Sequence, residues 1–137
     1  MSTFELSVIA TNRTFYKGIC KHVVVTSTDG LLGIMANHER AVVAIVEGET
    51  RIQLENDEWI TAVTGIGYVQ IQNNKVLIIV DFAEKPEEVD ERMAQQALEE
   101  AQEEMRQKQS LMEFHISQAK MARAMARLSV KKKYSGF

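Results

Sequence analysis

The sequence predicts an α+β protein in which a β-rich body is followed by a charged helical arm. Residues 1–82 contain many short apolar runs separated by turn residues, which is typical of a sandwich or a barrel. Residues 87–135 contain neither glycine nor proline. Charge is also divided, because residues 87–104 carry eight acids whereas residues 117–137 carry six basic residues and no acid.

In the body, the alternation of Phe4, Leu6 and Val8 with polar residues predicts a half-buried strand. Residues 22–28, 41–46, 51–54, 59–63, 68–71 and 75–81 are further candidate strands. The pairs Asn56-Asp57 and Asn73-Asn74 separate neighbouring strands and are typical of hairpin turns. The segment 29–33 contains two glycines without a following GK[ST], so we interpret it as a turn and not as a phosphate-binding loop.

Pro86 suits the first turn of a helix, where a backbone N–H is not needed. The acids that follow it favour the positive end of a helix dipole. Apolar residues at every fourth position predict the apolar face of this first helix. Those residues are Val89, Met93, Ala97, Ala101 and Met105.

Ser110 and Glu113 form a capping-box pattern that predicts the start of a second helix. We expect this helix to end near Val130 and to be followed by a frayed basic tail. Two helices joined by so few residues are expected to form an antiparallel hairpin. The predicted apolar face, with Gln118 as its polar interruption, consists of Leu111, Phe114, Met121, Met125 and Leu128.

Composition limits the function classes. The chain has 137 residues and a net charge of −3, so no overall positive field favours nucleic acid. Cys20 is the only cysteine, which excludes an internal disulfide and favours a reducing compartment. The N-terminus does not resemble a signal peptide, and no apolar run approaches the length that spans a bilayer.

A catalytic constellation is not evident, because His22, His38 and His115 are far apart in sequence and no known catalytic motif is present. The chain is therefore expected not to be an enzyme. The basic second helix lacks the tryptophan expected at a lipid interface and the interleaved aromatics expected at nucleic acid. It is either a solvated face or a face that docks another protein.

Three segments resemble the epsilon subunit of the bacterial F-type ATP synthase. Residues 30–38, GLLGIMANH, resemble the family's G-x-x-G-I-x-P-x-H segment, with Ala36 in the proline position. Residues 47–52, EGETRI, resemble P-G-x-x-R-I, with Glu47 in the proline position. Residues 122–130, ARAMARLSV, resemble the alanine- and arginine-rich second helix of the family.

The resemblance implies a flattened β-sandwich of about ten strands over residues 1–84 and a two-helix regulatory arm over residues 85–137. It implies a non-catalytic rotor subunit that couples the catalytic head to the c-ring of an ATP synthase that translocates protons or sodium ions. The gamma subunit, the c-ring and the catalytic α and β subunits are the implied partners, at the cytoplasmic face of the membrane and without insertion into it. In this family the loop that faces the c-ring corresponds to Leu31, Leu32 and His38.

The resemblance also implies that the arm inhibits ATP hydrolysis when it extends along gamma. Its second helix then meets an acidic segment of the β subunits through Lys120, Arg123 and Arg127. Surface ion pairs contribute only about 0–1 kcal/mol each. The folded and extended states can therefore differ by the few kcal/mol that a switch requires.

Some family members bind ATP on the folded arm through an I/L-D-x-x-R-A motif. Glu84, Asp90, Arg123 and Arg127 match the family's nucleotide positions, whereas Met93 and Glu100 stand where arginines are expected. We therefore expect no cofactor, or weak binding of ATP at most. Two alternative hypotheses are a free-standing ATP sensor that uses the hairpin as a nucleotide clasp and a coiled-coil adaptor that uses the β-rich body as its scaffold.

Overall fold

The computed structural model describes residues 2–107 and 110–134 and confirms the predicted fold class. In this part of the chain, nine strands are followed by a short 3-10 turn and two α-helices. The strands are β1 (Phe4–Ala10), β2 (Arg13–Ser27), β3 (Gly30–Met35), β4 (Ala41–Ile45), β5 (Gly48–Leu54), β6 (Trp59–Thr64), β7 (Gly67–Gln72), β8 (Lys75–Val80) and β9 (Ala83–Glu84). The 3-10 turn is Pro86–Glu88, and the helices are α1 (Glu91–Arg106) and α2 (Leu111–Tyr134).

The strands form two layers that share β2. In the first layer the order is β2, β1, β8, β7 and β4, with β1 and β8 parallel and the other pairs antiparallel. In the second layer the order is β3, β2, β5, β6 and β9, with every pair antiparallel. The N-terminal half of β2 pairs with β1 and its C-terminal half pairs with β3 and β5.

An irregularity between Cys20 and His22 allows β2 to serve both layers. Before it, Cys20 points into the core, whereas after it Val23 and Val25 do so, and all three are fully buried. Side chains alternate along a strand with a period of two, so one extra residue reverses the face that each side chain occupies. His22 consequently lies on the outer face of the second layer.

The core of the body consists of branched aliphatic side chains from both layers. The largest fully buried ones are Leu6, Ile34, Ile52, Ile71 and Ile78. Burying such a side chain contributes about 1.5–3 kcal/mol. Thr50 and Thr64 are also buried, and their hydroxyls hydrogen-bond each other at 2.8 Å.

The two predicted hairpin turns are confirmed. Asn73 and Asn74 both have positive φ, and the turn joins β7 to β8, as expected for a two-residue turn that follows the strand twist. Asp57 also has positive φ in the turn between β5 and β6. Gly30, at φ +113°, completes the turn between β2 and β3, a conformation that only glycine adopts without strain.

Helix α1 begins later than the sequence predicted. Pro86 opens the 3-10 turn, and Asp90 is the N-cap of α1, its carboxylate accepting the Met93 N–H at 3.0 Å. The predicted apolar face is wrong in part, since Met93 is 66% exposed and Ala97 is exposed. Spacing of four residues rotates 40° per step around a helix with 3.6 residues per turn. The face turned towards α2 instead follows 3/4 spacing, through Ala94, Leu98, Ala101 and Met105.

Helix α2 begins as predicted but ends later. The Glu113 N–H donates to Ser110 Oγ at 3.2 Å, as a capping residue should. The helix continues past Val130 to Tyr134, so the predicted end was wrong. Three consecutive lysines in its last turn favour the negative end of the helix dipole, and Lys131 Nζ donates to the Pro86 carbonyl at 3.0 Å.

The inward face of α2 also differs from the prediction. Ser117 and Ala124 are buried, whereas Leu111 is 74% exposed and Met125 is 52% exposed. Gln118 is exposed and does not interrupt the face. The helices form the predicted antiparallel hairpin. Internal contacts divide the chain into two compact units between Lys85 and Pro86.

Candidate functional site

Leu31, Leu32 and His38 do not form one cluster. Leu31 is near the start of β3 and 72% exposed, whereas Leu32 points towards the core and is half-buried. His38 follows the end of β3, in the loop of residues 36–40. The four residue steps from Leu31 to Met35 alone span about 13 Å.

The loop that contains His38 is held at the other end of β3. The Asn37 N–H donates to Asn74 Oδ1 at 2.7 Å, and Asn74 Nδ2 donates to the Thr3 carbonyl at 2.9 Å. His38 Nδ1 lies 2.8 Å from the Glu39 carbonyl oxygen. This end of the body therefore presents His38, and the β2–β3 turn presents Leu31.

An apolar row crosses the outer face of the first layer. The strand register places Ile9 beside Ile79, Ile79 beside Tyr68, and Tyr68 beside Ala44. Ile9 and Tyr68 are more than a third exposed, and Val42, on the same face of β4, is 70% exposed. An exposed apolar patch across several strands marks a surface that binds another protein. We call these five residues the outer apolar row.

The interior of the helical hairpin is lined mostly by small side chains. Ala94 and Ala101 are the buried residues of α1, and Ser117 and Ala124 are among those of α2. An alanine methyl contributes about as much as one buried CH₂, or about 0.8 kcal/mol. The hairpin is therefore closed with much less apolar burial than the body.

A polar cluster spans the two helices near their connection. Ser117, which is 2% exposed, donates its hydroxyl to Glu104 Oε2 at 2.7 Å. Lys120 Nζ lies 3.6 Å from the same oxygen. We call these three residues the Glu104 cluster. Glu104 and Ser117 are not among the predicted site residues, although 3/4 spacing from Phe114 through Ser117 to Met121 places Ser117 inside the hairpin.

The three predicted inhibitory cations share one side of α2. Positions 120, 123 and 127 lie within about 60° around the helix axis. Lys120 is engaged by Glu104, Arg123 and Arg127 are half-buried, and Arg127 also makes an electrostatic or polar interaction. The pattern gives α2 a continuous basic stripe beside its buried face.

The predicted nucleotide positions are distributed along the chain. Glu84 is in β9, paired with Val63, and Asp90 caps α1. Because the Asp90 carboxylate is used by the backbone, its presence is explained without a nucleotide. Met93 offers no positive charge, and Glu100 accepts a hydrogen bond from Gln96 at 3.1 Å.

Two further observations concern the chemistry of the chain. Burial raises the pKa of the Cys20 thiol to about 11, so this side chain is held as an unreactive thiol at neutral pH. Among residues 2–107 and 110–134, no cluster of three or more His, Cys, Asp or Glu side chains could hold a metal ion. Within the same ranges, no helix combines the length and the apolar character needed to cross a membrane.

Two protein-family models match the chain, and they meet close to the boundary between the two compact units at Lys85 and Pro86. Residues 3–86 match the β-sandwich domain of the ATP synthase delta/epsilon chain, and residues 87–132 match its long α-helix domain. The ATP synthase epsilon chain of Ruminiclostridium cellulolyticum is 40% identical over 94% of this chain and 96% of its own length. That of Caldanaerobacter subterraneus is 36% identical over 96% of both chains.

Solved structures show the same fold at low sequence identity. A chain of the Euglena gracilis mitochondrial ATP synthase OSCP/F1/c-ring assembly superposes with a TM-score of 0.79 at 18% identity, covering 92% of this chain and 79% of its own. A chain of the Tetrahymena thermophila mitochondrial central stalk and c-ring gives 0.62 at 11% identity, with coverages of 93% and 95%. On the family models and the close relatives together, this chain belongs to the ATP synthase epsilon chain family and is a non-catalytic subunit of that complex.

Proposed function

We propose that this chain is a central-stalk rotor subunit that couples the catalytic head to the c-ring and inhibits ATP hydrolysis by extension of its helical arm. The body would carry the coupling and the arm the inhibition. The complex would sit with its catalytic head at the cytoplasmic face of the membrane, moving protons or sodium ions.

The outer apolar row supports the coupling role. Its side chains extend across four strands of a body whose core is tightly packed, so a partner bound there would be held on a stiff platform. We propose that the gamma subunit covers this row. The loop of His38 and the start of β3, with Leu31 and Leu32, remain proposed contacts to the c-ring, at separate ends of β3.

The Glu104 cluster is the observation that carries the inhibitory role. In the closed hairpin, Glu104 holds Lys120 on α2. An acidic segment of a β subunit offers Lys120 the same chemistry, so extension exchanges one carboxylate partner for another. Because Lys120 pairs with a carboxylate in both states, the free energies of the closed hairpin and the extended arm differ little, as a switch requires.

The small side chains inside the hairpin support the same role. Separating the helices exposes alanine methyls and one serine, together with Val130 and the half-buried Leu98 and Met105, at lower cost than opening the body. Once α2 is free, Lys120, Arg123 and Arg127 present a basic stripe to the acidic segment. Control of the arm by ATP is not favoured, because Asp90 is committed to capping and Met93 and Glu100 supply no cation.

Deletion of residues 87–137 from the assembled complex tests the inhibitory role. We expect the ATPase rate to rise, because the basic stripe is removed while the body stays intact. An unchanged rate would overturn the inhibitory role. Co-purification of the truncated subunit with gamma tests the coupling role separately, and its failure would overturn the assignment of the body as the stalk-binding part.

A further inference from the structure

The outer face of the second layer carries a stacked group of side chains that the proposed function does not use. Trp59 on β6 lies between Arg51 on β5 and His22 on β2. The Arg51 guanidinium carbon is 4.4 Å from the centre of the Trp59 ring. The centres of the His22 and Trp59 rings are 5.6 Å apart, in an edge-on arrangement. We call these three residues the Arg51–Trp59 stack.

Local structure fixes this stack in place. The irregularity in β2 turns His22 outward, and the glycine at position 33 leaves room for its ring. A Cβ on Gly33 would lie 2.9 Å from His22 Nε2, closer than side chains tolerate. His22 thus rests on the backbone of β3 and supports the edge of Trp59, and Trp59 in turn supports Arg51.

Arg51 is stacked but lacks a hydrogen-bond acceptor. Its Nε is buried and makes no hydrogen bond, and no ion pair involves Arg51 in the part of the chain that the structure describes. A buried donor without a partner destabilises the folded chain. Stacking on a ring fixes the guanidinium plane, and a carboxylate is the acceptor that can pair with two N–H groups of such a plane at once.

The surroundings add apolar contact area to this donor group. The strand register places Met35 beside His22, and Leu31 lies on the same face of β3. Met35 is 62% exposed, Leu31 is 72% exposed and Trp59 is 39% exposed. Glu49, two residues before Arg51 on this face, makes an interaction of its own.

We propose that the Arg51–Trp59 stack is a docking site for an acidic segment of another subunit of the complex, in which an Asp or Glu carboxylate pairs with Arg51 and a neighbouring aliphatic side chain covers Met35. Tryptophan and arginine are the residue types that dominate binding energy at protein interfaces. A carboxylate is the partner that matches the charge and the planar donors of the Arg51 guanidinium. This inference rests on membership of the complex and not on the inhibitory role of the arm.

The test uses the complex depleted of this subunit and rebuilt with variants. Arg51→Met keeps an unbranched apolar stem on the sheet beside Trp59 but removes the guanidinium group and its donors. We expect it to weaken binding of the subunit to the rest of the complex at least about tenfold, as for a central interface arginine. Arg51→Lys keeps the charge and loses the planar donors. Its binding to the rest of the complex should be weaker than that of the wild type and stronger than that of Arg51→Met. Arg92→Met, an exposed arginine on α1, is the matched control and should bind as wild type.

Retention of Arg51→Met at wild-type affinity would overturn the proposal. ATPase inhibition measured at a saturating concentration of the subunit distinguishes the docking site from the inhibitory role of the arm. Arg51→Met leaves the arm unaltered, so this variant should inhibit fully once it is bound. Unfolding of the full-length variant, followed by the fluorescence of its single tryptophan, shows whether the fold is kept.

A cross-linking experiment in the wild-type background does not depend on the stability of Arg51 variants. A photoreactive phenylalanine placed at Met35 should join the subunit to a segment of another subunit that contains Asp or Glu within a few residues of the joined position. A cross-linked segment without an acid, or no cross-link in the intact complex, would overturn the proposal.

Discussion

The body and the arm are closed by different kinds of side chain. The body packs leucine, isoleucine and valine from two layers, and several of these side chains are completely buried. The hairpin of the arm is closed around alanines and Ser117, with the Glu104 cluster at one end. The contrast supports the proposal that the arm opens at lower cost than the body, and three substitutions test this difference.

The largest effect is expected in the body. Ile78 is fully buried between the layers, so Ile78→Ala removes three carbons and leaves a cavity. We expect a loss of about 2–5 kcal/mol in the free energy of unfolding, measured by urea denaturation of the full-length chain. A cost below 1 kcal/mol would contradict the view of the body as a tightly packed core. Ile66→Ala, on a half-exposed side chain, is the control and should cost far less.

A smaller effect is expected inside the hairpin. Ala101 is 1% exposed, and leucine there should force the two helices apart at a cost of about 1–3 kcal/mol. Hydrogen exchange should accelerate across α1 and α2 and stay unchanged in the strands of the body. The same leucine at Ala97, which is exposed, should leave exchange unaltered. Faster exchange in the body as well would show that the two units do not open independently.

The smallest effect is expected at the Glu104 cluster. Glu104→Gln keeps a hydrogen bond from Ser117 but removes the charge that holds Lys120, at a cost of about 1 kcal/mol or less. In the assembled complex this change should favour the extended arm and lower the ATPase rate. Glu99→Gln alters an exposed acid on the same helix and should change neither property. A higher ATPase rate for Glu104→Gln would contradict the exchange of partners by Lys120.

Local features of the fold were predictable from sequence, and features set by a distant neighbour were not. The turn at Asn73-Asn74 and the start of α2 at Ser110 depend on a few adjacent residues, and both are confirmed. The switch of faces between Cys20 and His22 depends on strands far away in sequence, so period-two counting across β2 could not locate it. The residues of the stack in the second layer are likewise brought together only by the sheet register.

The helical faces were predicted poorly for a geometric reason. Counting every fourth residue from Val89 drifts around the helix and leads to Met93, which faces outward. Lys120 was predicted as a contact because it lies one turn before Arg123 and Arg127, which match the family, but its partner was not predicted. Glu104 was counted among the acids of a charged helix, and only the antiparallel register places it against Ser117 and Lys120.

The sharing of β2 by both layers has a mechanical consequence. A pull on the first layer reaches the second through a continuous strand of 15 residues, Arg13–Ser27, and not only through side-chain contacts in the core. Strands pulled along their length load many backbone hydrogen bonds at once instead of breaking them one after another. If a force acts on one layer and is opposed at the other, β2 would therefore transmit it through the backbone, and the two layers would move little relative to each other.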